Sequence, residues 1–95
     1  MDKIKSILNT YMLGNAVLST LEDCSTGMPE STVYIALGSN YDLSTRLIGM
    51  LQRQGAIQVK SHYITKGENF DKILKNCRDG EATIRKLLKD KGIVL

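Results

Sequence analysis

Cysteine occurs twice in the 95 residues and histidine once, and the longest clean apolar run is Val33-Tyr34-Ile35-Ala36-Leu37. Each scarcity excludes a class of protein. Cys24 and Cys77 are too few for a disulfide framework and read as reduced, buried thiols, each on the apolar stripe of its helix. With His62 they are also too few and too scattered for a metal site. The apolar run falls far short of the roughly 18 residues that a membrane span needs. No charged stretch followed by an apolar segment and a small-residue cleavage site opens the chain, so a cytoplasmic protein is expected. Common catalytic motifs are missing as well: there is no Gly-rich phosphate loop, HExxH, CxxC or EF-hand loop. No spacing of Ser, His and Asp points to a triad. Neither catalysis nor a cofactor is expected.

What is present is ordinary in amount and uneven in distribution. Hydrophobic residues make up 42% and charged residues 24%, as in a globular protein, and the length suits one domain over residues 1–95. Residues 1–45 carry two basic groups against five acids, and residues 46–95 carry eleven against five. The second half is therefore the face for a polyanion, with a solvated basic surface as the plain alternative.

Periodicity and punctuation give the elements. Ile4, Ile7, Leu8, Tyr11 and Met12 form an apolar helical stripe that Gly14 ends or kinks. Asn15 can cap a second helix carrying Val17, Leu18, Leu21 and Cys24. After a turn at Ser25-Thr26-Gly27, Pro29 fits the first position of a third helix running to about Leu37. Ser39 or Asn40 caps the fourth, with Asp42 completing a capping-box-like arrangement after Ser39; it runs to about Gln54 and Gly55 ends it. Residues 56–60 alternate apolar and polar, and 62–65 are rich in strand formers, which predicts a hairpin turning near Lys60-Ser61. Thr65 and Glu68 form a capping box before a helix with Phe70, Ile73, Leu74 and Cys77. Asp79-Gly80 breaks that helix, and a last one over about 80–91 turns Ile84, Leu87 and Leu88 inward.

The order is mainly α with a small β-hairpin, and residues 15–67 resemble a winged helix-turn-helix domain of small bacterial, plasmid or phage regulators. The resemblance rests on Ala36-Leu37-Gly38 at the turn, Arg46-Leu47 in the next helix, Leu51, Gly55-Ala56-Ile57, and Tyr63-Ile64-Thr65-Lys66-Gly67 after the wing. Gly55 follows Gly38 by seventeen residues, the usual length of a turn plus recognition helix. Helices over about 2–13 and 80–91 flank this core match. A β-branched residue is usual where Ser44 stands, so Leu43 is expected to take over its core role, and only two or three residues remain for the wing tip.

In the helix that would read DNA, Leu43, Leu47, Met50, Leu51 and Gln54 are expected to face the core. Tyr41, Thr45, Gln52 and the backbone at Gly49 lie opposite, with Arg46 and Arg53 along one flank. The resemblance implies DNA contact by Ser39, Tyr41, Ser44, Thr45, Arg46 and Arg53, joined by Lys60, His62 and Lys66 around the hairpin. Arg suits guanine edges or phosphate, Thr a base edge or thymine methyl, and Ser and Tyr hydroxyls phosphate. The implied function is sequence-specific binding of double-stranded DNA by a homodimeric transcriptional regulator. A centromere-binding adaptor for plasmid or phage segregation and a protein-interaction module are the alternatives. The dimer interface is expected at Ile4, Ile7, Leu8 and Tyr11 of the first helix and Ile84 and Leu88 of the last, with the tail Ile93-Val94-Leu95.

Overall fold

The computed structural model describes residues 2–24 and 26–92. Seven elements follow one another: α1 (Asp2–Glu22), β1 (Met28–Pro29), α2 (Glu30–Ala36), α3 (Tyr41–Arg53), β2 (Ile57–Lys60), β3 (Tyr63–Lys66) and α4 (Phe70–Asp90). The described residues are thus mainly helical, with a small antiparallel sheet in the order β1-β3-β2. The expected tail contact of residues 93–95 and the Ser25 position of the first turn lie outside the described residues.

The core explains the order. Leu18 and Leu21 from α1, Val33 from α2, Leu51 from α3, Ile57 from β2 and Ile64 from β3 are all but fully buried in one cluster, with Phe70 and Leu74 from α4 beside them. Ile64 is its sheet anchor, pairing with Met28 on one side and Val59 on the other. The hairpin closes at Ser61-His62, one residue later than expected, and both residues hold positive φ, 52° and 63°. A two-residue turn of type I′ demands such angles, which match the right-handed twist of the strands. His62 is therefore a turn residue rather than a strand residue. The strand at Met28–Pro29 was not foreseen: Pro29 precedes α2 in an extended conformation instead of occupying its first turn.

Two predicted helix breaks do not exist. Gly14 lies inside a continuous α1, where a Cβ would stand 3.0 Å from the Cys77 Sγ of α4. Gly80 lies inside a continuous α4, where a Cβ would stand 2.6 Å from the Tyr11 ring. Both glycines let the two long helices close on one another, so contact overrides the cost of glycine in a helix. Arg78 bonds Ser19 and Glu22, and Arg85 reaches the Met12 sulfur, so the two helices run antiparallel. Asn15, expected as a cap, accepts the Ser19 hydroxyl within the helix. The Thr65/Glu68 capping box is not formed either: α4 starts after Asn69, whose Nδ2 donates to the Gln54 carbonyl.

Leu8 and Leu88 are buried within the chain, which corrects their assignment to a dimer interface. Ile7 and Leu87 are each 40% exposed, and Ile4, Tyr11 and Ile84 are half-buried on the same two helices. Cys24 is half-buried and Cys77 buried, and both are free thiols.

Candidate nucleic-acid interface

The candidate face is built on α3. Leu37 to Asn40 form the turn from α2, with Gly38 and Ser39 both at positive φ. Ser39 belongs to this turn rather than capping α3: its backbone amide donates to the Tyr34 carbonyl at 2.7 Å, and its side chain is exposed. Asn40 is the cap instead, its Oδ1 accepting the Leu43 amide at 3.1 Å. At the other end Gly55 at φ 78° allows the Ala56 amide to reach back to the Leu51 carbonyl.

The buried stripe of α3 is Ser44, Leu47, Ile48 and Leu51. At 100° per residue it is turned about 65° from the expected one. Leu43 and Met50 are half-buried, Gln54 is exposed, and Ile48, not expected inside, is core. Ser44 is the main correction. It is completely buried, and its hydroxyl donates to the Asn40 carbonyl one turn back at 2.8 Å, so it cannot touch DNA. A serine fits this core position because its one polar group is satisfied by its own helix. The signal was there: Ile48 lies one turn from both Ser44 and Leu51.

This rotation carries Arg46 and Arg53 to the side nearly opposite the core, with Asp42 and Gly49 beside them. All but Gly49 are exposed, and the Arg53 guanidinium folds back beside Gly49. Arg46 also borders a cavity of about 270 Å³ with Leu43, Met50 and Thr10 of α1. Tyr41, Thr45 and Gln52 form the flank of α3. Gln52 and Lys60 line a common cavity of about 400 Å³, which joins this flank to the hairpin.

Lys60 pairs with Tyr63 next to the hairpin tip, whereas Lys66 pairs with Ile57 at its base. The structure therefore separates the two lysines. Lys66 holds its ammonium 5.1 Å from the Phe70 ring centre, a cation–π contact. His62 is 91% exposed, with its Nδ1 3.8 Å from Glu30 Oε1.

Two residues of this region escaped the sequence reading. The Tyr34 hydroxyl donates to Glu30 Oε1 at 2.6 Å, one helical turn apart. The Tyr34 ring stacks on Tyr41 with centroids 5.4 Å apart and planes 16° from parallel. The bond to Glu30 raises the Tyr34 pKa, helped by burial and the Glu30 charge. The i, i+4 spacing of Glu30 and Tyr34 on a short helix was the available signal.

Among the described residues no three His, Cys, Asp or Glu side chains converge on a metal position. No helix there is long and apolar enough to cross a membrane. No protein-family model, curated protein or solved structure matches the chain.

Proposed function

We propose that this protein is a winged helix-turn-helix protein that binds double-stranded DNA through α3 and the β2–β3 hairpin. The observation that carries the reading is the outer face of α3. It presents Arg46 and Arg53 opposite the core, with exposed Tyr41 and Thr45 on the flank and Lys60 beyond. The element order, the four-residue turn before α3 and the strand order β1-β3-β2 support it. An α-helix fits the major groove, about 12 Å wide, where an arginine fork can grip a guanine edge. Ser39 and Tyr41 at the start of α3 suit phosphate, as does Lys60 beside the short wing tip. Asp42 is excused by the positive end of the helix next to it.

A single α3 reads only a few base pairs, so a homodimer binding two half-sites is part of the reading. The exposed apolar side chains Ile7 and Leu87 support it. A transcriptional regulator and a segregation adaptor share this chemistry. The protein-interaction reading draws on Ile35, which stands 74% exposed on the outer side of α2. Selection of bound duplexes from a random pool, followed by titration at low and moderate salt, tests the proposal. Enriched sequences and a steep fall of affinity with salt support it. Failure to bind any duplex at low salt rejects it in favour of the interaction module.

A further inference from the structure

We infer that the groove between α1 and α3 binds a medium-chain aliphatic carboxylate, with its head at Arg46 and its hydrocarbon tail along Met50. Two cavities make up this groove. One, of about 270 Å³, has Leu13, Leu43, Arg46 and Met50 among its walls. The other, of about 260 Å³, has Ile7, Tyr11, Met50, Gln54 and Cys77. Thr10 of α1 and Met50 of α3 belong to both, so the cavities adjoin. Together they fall within the range of about 300–1,000 Å³ usual for small-molecule sites. From Leu43 to Gln54 they follow about 16 Å of α3.

The lining selects the occupant. Among the described residues that line the groove, Arg46 alone is charged. The ion pairs of the described residues join Arg78 to Glu22, Arg85 to Glu81 and His62 to Glu30, which leaves Arg46 without an acidic partner there. A single cation in the first cavity and none in the second complements one anionic head on an apolar tail. A peptide fits less well. The walls are helices whose backbone groups are paired within them, and the Thr10 hydroxyl already donates to the Ser6 carbonyl at 3.0 Å. Peptide amides laid there would lose water without gaining partners, whereas a hydrocarbon chain needs none. The cavity between α1 and α2 gives the comparison. It measures about 170 Å³, with Val17, Val33 and Ala36 among its walls, and its described lining offers no charge to a head group.

Arg46 is also the arginine proposed to grip DNA, so the consequence that follows rests on the DNA-binding reading. A guanidinium engaged by the carboxylate is lost to a guanine edge, and the added negative charge repels phosphate. Carboxylate and duplex therefore oppose one another, each weakening the other by the same factor.

The site is tested without DNA, by titrating the protein with octanoate and following side-chain methyl resonances. Met50 and Leu43 should shift, with Val33 and Ala36 unmoved. Each methylene added from hexanoate to decanoate should tighten binding roughly fourfold. Arg46→Gln should weaken octanoate roughly three- to tenfold and leave octanol unchanged. Thr10→Trp, which fills the shared wall, should abolish binding of both. Equal binding of octanoate and octanol by the wild type, or shifts centred on Val33 and Ala36, overturns the inference. Binding of neither overturns it too, and their uptake by a monomeric Leu87→Lys variant would show a second copy to be the occupant.

The consequence is tested on the preferred duplex, with acetate at equal concentration as the salt control. Saturating octanoate should weaken wild-type binding roughly tenfold and barely affect Arg46→Ala. If octanoate binds in the groove but leaves duplex affinity unmoved, the opposition is overturned. If octanoate binds and no duplex does, the DNA reading fails while the groove assignment stands.

Discussion

At the scale of single residues, burial decides which chemistry is on offer. Ser44 and Thr45 are neighbours of similar polarity, yet one is sealed in the core and the other exposed. Ser44→Ala should shift stability by less than about 1 kcal/mol, since a gain in helix propensity offsets the lost hydroxyl bond. It should leave duplex affinity unchanged, and denaturant titration with DNA titration checks both. The cysteines divide in the same way. Burial pushes the Cys77 thiol up in pKa, and half-buried Cys24 is the more accessible sulfur. A thiol reagent should therefore modify Cys24 first and Cys77 only as fast as the protein opens. The raised values of Cys77 and Tyr34 mean that the folded state prefers both groups protonated. Their contribution to stability is complete below the ordinary pKa of each group. It is lost as pH rises from there through the folded-state values. Denaturation midpoints measured upward from neutral pH should fall on the alkaline side, and less so for Cys77→Ser.

At the scale of elements, glycine shows what a sequence can tell and where it stops. Gly38 and Gly55 were legible because each sits at positive φ between recognisable elements, as a turn requires. Gly14 and Gly80 look the same in sequence, but they serve a close helix crossing that only the tertiary contact between α1 and α4 reveals. The two-residue β1 was equally hidden, since its partners Tyr63 and Ile64 lie far along the chain. The edges of α3 and the hairpin were readable from local chemistry. The orientation of α3 was not, because it follows from Ser44 being accepted into the core. Two substitutions probe these elements. By propensity alone Gly80→Ala should stabilise α4 by about 1 kcal/mol. The Tyr11 ring in the way makes a net loss of about 1–3 kcal/mol the expected outcome in a urea titration. Asn40→Ala should cost about 0.5–2 kcal/mol by removing the cap of α3, with Asn40→Ser nearly neutral.

At the scale of the whole molecule, two long antiparallel helices carry the compact α2–α3–hairpin part on their side, giving extents of 45 × 27 × 21 Å. In the proposed homodimer a second copy covers exposed Ile7 and Leu87 on those helices. Sedimentation at tens of micromolar should show a dimer, and Ile7→Lys with Leu87→Lys should convert it to a monomer. A wild-type monomer with and without DNA would rule the dimer out. The proposed function puts specificity on α3 and gives α4 no part in it. The most direct test compares Arg46→Ala with Lys89→Ala, an exposed basic residue of α4, on the preferred duplex. Arg46→Ala should cost about 1–3 kcal/mol and relax preference at one base pair if it grips a guanine edge. Lys89→Ala should cost almost nothing. Equal, small losses from both would contradict the assignment of α3 as the helix that reads DNA.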